Sequence, residues 1–105
     1  MRSVAISSIE LCQDGRLAVR PNTTETELFE YIYRSATGVR WRMSDKAFVP
    51  AEPMTSSAAW WFGNIVSSVQ SELGLVLRLD AATLWLAIPP DLHKEIESHD
   101  SPHAV

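Results

Sequence analysis

The sequence has 105 residues, 46% of them hydrophobic and 21% charged. These proportions are typical of a globular protein and exclude a disordered chain, and the length suits one domain with a single core. A formal net charge of −4 disfavours a dedicated nucleic-acid-binding protein, which needs clustered lysine and arginine. Cys12 is the only cysteine, so no intramolecular disulfide or thiolate zinc cluster can form.

The location expected from the sequence is the cytoplasm. The longest apolar run, Ala58 to Phe62, is far short of the ~20 residues that span a bilayer, so no membrane association is predicted. Met1–Ser3 leads into alternating, strand-like sequence without the apolar stretch of a signal peptide.

A β-hairpin is predicted at the beginning of the chain, with strands over 4–11 and 16–20. An Asp-Gly pair lies between the two alternating segments and is a strong hairpin signal. Apolar positions in the first strand change parity between Ile6 and Ile9, which predicts a β-bulge there.

A helix is predicted next, over 25–36, with Thr23 or Thr24 as its cap. Gly38 is the expected C-terminal stop, and apolar residues spaced at helical intervals share one face. A strand remains an alternative for 28–34, because aromatic residues alternate there: Phe29, Tyr31 and Tyr33.

A second hairpin follows, with a strand over 39–43 and a short return strand over 47–49. Alternation in its first strand predicts three core-facing side chains: Val39, Trp41 and Met43. Pro50 and Pro53 restrict the return segment to a sheet edge or an exit loop.

The longest predicted helix covers 58–73, with Ser56 or Ser57 as its N-cap and Gly74 as its stop. Its apolar stripe follows the helical period and comprises Ala58, Trp61, Phe62, Ile65, Val66, Val69 and Leu73.

A third hairpin is predicted after this helix, from two alternating runs. Its expected core-facing residues are Leu75, Leu77 and Leu79, then Leu84, Leu86 and Ile88. Pro90 begins a short helix that buries Leu92 and Ile96. Residues 98–105 are predicted to form a polar tail outside the domain of residues 1–97. The expected fold is therefore α+β, with an antiparallel sheet built from hairpins and packed on one long helix plus one or two shorter helices.

The side of the 58–73 helix opposite its apolar stripe is unusually poor in charge. Trp60 lies almost opposite the centre of the stripe, and Glu72 is the only charged residue of the helix. Small or neutral residues surround the tryptophan: Gly63, Asn64, Ser67 and Ser71. Because interface cores lack charge and are enriched in tryptophan, this side predicts self-association, with a twofold dimer favoured. The alternatives are cover by the chain's own strands or an isolated exposed tryptophan.

Trp85 and Val76 are further interface candidates. The predicted third hairpin turns both away from its core-facing leucines, so its outer face needs a cover. An ordinary cross-strand pair at the surface is the alternative.

A second candidate site consists of arginines on two strand faces: Arg16, Arg20, Arg40 and Arg42. If those strands are neighbours, the guanidinium groups could hold a phosphate or a carboxylate. The alternative is a solvated sheet face with salt bridges to acids such as Glu10 and Asp45.

Catalytic and metal chemistry has little support, and no catalytic residue, metal site or cofactor is assigned. A small enzyme would use His93 with Asp91 or a neighbouring acid. His99 and His103 have i,i+4 spacing but lie in the predicted polar tail. Cys12 has neither a helix N-terminus nor a cation close to it in the sequence.

Three segments resemble small proteins encoded on bacterial integron gene cassettes: residues 31–41, the Trp60-Trp61 pair, and Ser71-Glu72-Leu73-Gly74. The resemblance implies a bacterial origin and a family in which many members form small oligomers. It assigns no functional residue.

The sequence therefore favours a non-catalytic binding or interaction protein, whose homodimer carries a site for a small ligand or a partner protein at or near the subunit interface. Anion or nucleic-acid binding through the arginines and a small enzyme of unknown class are the alternatives.

Overall fold

The computed structural model describes residues 2–23, 29, 32, 38–51 and 57–100. These residues form one mixed sheet of six strands and two helices, which confirms the α+β class with one long and one shorter helix. In chain order the elements are β1 (Arg2–Leu11), β2 (Leu17–Pro21), β3 (Val39–Arg42), β4 (Ala47–Pro50), α1 (Ala58–Leu73), β5 (Leu75–Arg78), β6 (Leu84–Leu86) and α2 (Pro90–Asp100). The predicted helix over 25–36 lies outside the described residues except for Phe29 and Ile32, which are both buried.

The strand order is β3-β4-β2-β1-β5, with β6 also paired to β1. The first two predicted hairpins are confirmed, since β1 pairs antiparallel with β2 and β3 pairs antiparallel with β4. The predicted third hairpin is wrong. Both β5 and β6 run parallel to β1 and pair with its first and second halves in turn, so the sheet is mixed rather than wholly antiparallel.

A β-bulge in β1 explains why β5 and β6 are separate strands. The register of β1 against β2 shifts between Ile6 and Ser8, as the change in apolar parity predicted. Thr83, at the entrance to β6, donates its hydroxyl to the Ile6 carbonyl oxygen at 2.7 Å and is buried. The segment between the two strands is therefore anchored to β1 at the bulge.

The two helices pack on one face of the sheet and close a single main core. An aromatic group lies at its centre, with the Phe29 ring edge-on to Trp41 at 5.1 Å and Phe48 at 4.8 Å from Trp41. The helix α1 contributes the buried residues Phe62, Ile65 and Val69 to the same core.

The helix α1 has the predicted bounds and both predicted ends. The Ser57 hydroxyl accepts a hydrogen bond from the Trp60 backbone N–H at 3.1 Å, which caps the first turn. Gly74 adopts a left-handed φ of 70° and donates its N–H to the Gln70 carbonyl at 3.0 Å.

Two details of the second hairpin differ from expectation. The strand β4 lies inside the sheet, between β3 and β2, and not at the predicted edge or exit loop. The sheet tolerates Pro50 because it is the last residue of the strand. The next residue, Ala51, donates its N–H to the Gly38 carbonyl at 2.8 Å and continues the pairing. Met43 was expected in the core, but it belongs to the turn after β3 and is 62% exposed.

The side chains of β6 face the opposite way from the prediction, which placed Leu84 and Leu86 in the core. Leu84 and Leu86 are 61% and 42% exposed, whereas Trp85 packs against the core. Ala87 then takes a φ of 57°, which breaks the alternation and returns Ile88 to the core side.

The helix α2 buries Ile96 and half-buries Leu92, as predicted. It continues to Asp100, three residues beyond the expected domain end at 97. Residues 101–105 lie outside the described residues.

Candidate functional site

The outer face of α1, comprising Trp60, Gly63, Asn64, Ser67 and Ser71, lies on the side of the helix away from the sheet. Trp60 is 51% exposed, and its ring meets that of Trp61 edge-on, with the centroids 5.2 Å apart. Ser67 and Ser71 are exposed as well, while Gly63 and Asn64 are half-buried. The strands of the chain therefore do not cover Trp60.

The chemistry of this face suits contact with another surface. The Ser71 hydroxyl donates to the Ser68 carbonyl within the helix at 3.3 Å, so that donor is satisfied without water. Burying such a face removes no charged group from solvent, so closing an interface here avoids the cost of desolvating charges. The face thus combines a large apolar side chain with a low cost of dehydration.

The other predicted interface residues lie elsewhere. Trp85 is half-buried on the core side of β6, where its ring stacks on His93 of α2 at 3.7 Å and an interplanar angle of 18°. Val76 is half-buried on β5, between two core residues. Neither Trp85 nor Val76 therefore lies on the outer face of α1.

Of the two environments predicted for His93, with Asp91 or with a neighbouring acid, the structure shows the second. Its Nε2 atom lies 3.3 Å from Glu97 Oε2, one turn further along α2, and its ring covers Trp85. The acid beside the histidine is therefore Glu97, and the contacts of His93 hold α2 against β6.

Two of the four predicted arginines converge on one carboxylate, Asp45, in the turn between β3 and β4. Arg42 donates from Nε to Asp45 Oδ1 and from Nη2 to Oδ2, both at 2.7 Å, which is a bidentate pair. Arg20 donates from Nη2 to Asp45 Oδ2 and, at 3.0 Å, to Glu10 Oε1. The sequence named both acids as alternative partners for these arginines, and the structure brings all four side chains together.

This network neutralises the cations that an anion site would need. The hydrogen bonds from Arg42, with those from Arg20, lower the pKa of Asp45 to about 2, and the Asp45 carboxylate raises the pKa of Arg42. Arg16 lies 3.6 Å from Asp14, and Arg40 is exposed on β3. The described structure therefore does not gather four unneutralised guanidinium groups on one face.

Cys12 lies at the edge of the same network. Arg42 Nη2 is 3.9 Å from its sulfur, and the cysteine packs against the buried side chains Ala18, Ala47 and Val49. Sequence reasoning missed this neighbouring cation because the two residues are thirty positions apart and only the strand order brings them together.

The described residues include no cluster of three or more potential metal ligands, and none of the described helices is long and apolar enough to cross a membrane. His103 and the side chain of His99 lie outside the described part of the chain. Among the described residues, the indole N–H groups of Trp41 and Trp61 are buried without a hydrogen-bond partner.

Comparisons with known proteins agree with the resemblance seen in the sequence. A family model described as Integron Cassette Protein Hfx_Cass5 matches residues 3–83. A solved structure, "Structure from the mobile metagenome of North West Arm Sewage Outfall: Integron Cassette Protein Hfx_Cass5", is 31% identical, with 95% of this chain and 97% of that chain covered and a TM-score of 0.45. No curated protein matches. The chain belongs to the Hfx_Cass5 family of integron cassette proteins.

Proposed function

We propose that the protein is a non-catalytic interaction protein that acts as a homodimer, in which the outer face of α1 forms the subunit contact. The site for a small ligand or a partner protein then lies at the seam between the subunits. One observation carries the proposal, namely the 51% exposure of Trp60 on a helix face without charged residues.

The physical argument compares this face with an ordinary solvated helix surface. Such surfaces are rich in lysine and glutamate, which stay hydrated and resist burial. The outer face of α1 instead offers a tryptophan beside a low ridge at Gly63 and Ser67, along which a second helix can approach closely. Tryptophan is the residue type most enriched among those that dominate binding energy in protein interfaces.

The experiment is sedimentation velocity at micromolar concentration on the wild type and on Trp60→Glu. We expect the wild type to sediment as a dimer and the variant as a monomer with an unchanged far-UV circular dichroism spectrum. Met43→Glu is the matched control, because it places the same charge on a residue that is 62% exposed at the β3–β4 turn. A monomeric wild type, or a Trp60→Glu variant of unchanged mass, would refute the proposal.

The two alternatives receive less support. Anion binding is weakened by the pairing of Arg20 and Arg42 with Asp45, and catalysis by the engagement of His93 with Trp85 and Glu97. As part of the proposal we place the protein in the bacterial cytoplasm, since a chain with a single cysteine gains no disulfide from an oxidising compartment.

A further inference from the structure

The strand β6 carries the most solvent-exposed large apolar side chains of the described strands. Leu84 and Leu86 are 61% and 42% exposed and share the sheet face away from the helices, because Trp85 between them faces the core. On one side β6 pairs with β1, and no other described strand pairs with its second side. The strand therefore combines an open backbone edge with two solvent-facing leucines.

Apart from its short length of three residues, this edge lacks the devices that normally prevent edge-to-edge association. Natural edge strands carry lysine, proline or a bulge that disfavours pairing with another chain. Here no charged residue occurs between Asp80 and Asp91, and the strand Leu84–Leu86 has neither proline nor charge. Glu10, which is opposite Leu86 on β1, is already paired with Arg20 at 3.0 Å, so the neighbouring charge is compensated within the chain.

The occupant that fits this edge is a second copy of the same strand. The Leu-Trp-Leu sequence is symmetric about Trp85, so an antiparallel pair related by a twofold axis sets each Leu84 opposite the partner's Leu86. We propose that β6 pairs with β6 of a second copy, with Trp85 opposite the partner's Trp85, and joins two sheets into one. In this arrangement each exposed leucine gains a directly opposed leucine of the partner on the open sheet face, and no like charges are opposed along the strand.

The size of the contact predicts weak association. Three residues and two half-exposed leucines per copy bury far less than the ~1,200 Å² of a stable protein interface, so the pairing is reversible and needs high concentration. Leu84 and Leu86 face away from the helices, whereas the outer face of α1 lies on the side of that helix away from the sheet. The inference therefore goes beyond the proposed dimer, and the two contacts together link dimers into larger assemblies.

The first test isolates the edge from the outer face of α1. Sedimentation velocity on Trp60→Glu, from about 10 µM to about 1 mM, should show a mass that rises with concentration. Adding Leu86→Lys should abolish the rise, whereas adding Met43→Lys, which charges a residue that is 62% exposed at the β3–β4 turn, should preserve it. If Trp60→Glu leaves the mass unchanged, Leu86→Lys and Met43→Lys are compared in the wild-type background instead. There too, only Leu86→Lys should abolish the rise of mass with concentration.

The second test reads the register directly, in a Cys12→Ser background. Directly opposed residues of antiparallel strands have Cβ atoms ~5 Å apart, which allows a disulfide, whereas diagonal neighbours are ~7–8 Å apart. A mixture of Leu84→Cys and Leu86→Cys proteins should crosslink several-fold faster under mild oxidation than either protein alone. Equal rates in the mixture and in the separate proteins, or a mass independent of both concentration and Leu86→Lys, would overturn the inference.

Discussion

Replacement of Asp45 by asparagine tests the charge network on the open sheet face. The change keeps the side-chain shape but removes the carboxylate that Arg42 and Arg20 share. Lowering the pKa of Asp45 from 3.8 to about 2 corresponds to at most ~2.4 kcal/mol of folding free energy at neutral pH. The Asp45 side chain is 31% exposed, so solvent screening reduces the expected loss to about 1 kcal/mol.

The pH dependence separates this charge effect from a general defect. A carboxyl group whose pKa is lower in the folded state stabilises the fold above its unfolded pKa, and that stabilisation is lost as the pH falls through the folded pKa. Urea denaturation should therefore show a constant gap between wild type and Asp45→Asn above about pH 5, narrowing between pH 3.8 and about 2. At pH 2 about half of the folded molecules carry a protonated Asp45, which resembles asparagine, and most of the gap should be lost. A gap of the same size at pH 2 and pH 7 would show that the charge of Asp45 contributes nothing.

Two further substitutions test the segment from β5 to β6. Thr83→Val should destabilise the fold by about 1–3 kcal/mol in urea denaturation, because it leaves the Ile6 carbonyl without its buried donor, while Thr83→Ser keeps the hydroxyl and most of the stability. Ala87→Gly should stabilise the fold by roughly 0.5 kcal/mol, because glycine accepts the φ of 57° without strain. Ala87→Val should destabilise it, because a β-branched side chain is strained at this φ. A loss with Thr83→Ser equal to that with Thr83→Val, or a destabilised Ala87→Gly, would contradict these accounts.

Elements with strong local signals were predictable from the sequence. The Asp-Gly turn fixed the first hairpin because few other residues take the required turn conformation, and the change of parity in β1 located its bulge. Ser57 and Gly74 fixed both ends of α1, since each supplies a hydrogen bond or a backbone conformation that the helix end needs. In these cases the residue and its structural role are only a few positions apart.

The partners of β5 and β6 were not predictable in the same way. Alternation shows that a segment is a strand, but it does not show which strand pairs with it or in which direction. The turn at Asp80 and Ala81 resembles a hairpin turn in sequence. Thr83 binds β1 instead, and this contact spans seventy-seven positions of the chain.

The arginine network was predictable in its composition but not in its geometry. Alternation placed Arg42 and Arg20 on outward strand faces, and the acids Glu10 and Asp45 were evident partners. Only the strand order β3-β4-β2-β1 brings the two arginines to the same carboxylate and Arg42 to Cys12.

The strand β6 turns its two leucines outward, the reverse of the facing predicted from the sequence. Because a strand presents alternate residues to opposite faces, the fold can bury either Trp85 or the two leucines beside it. It buries the indole, which gains the packing of a large ring against the core and a stack on His93 of α2. The two leucines then stay exposed, although burying each fully is worth about 2 kcal/mol. An isolated subunit forgoes that free energy, and pairing of β6 with its own copy recovers the part that comes from contact between the opposed leucines, without disturbing Trp85.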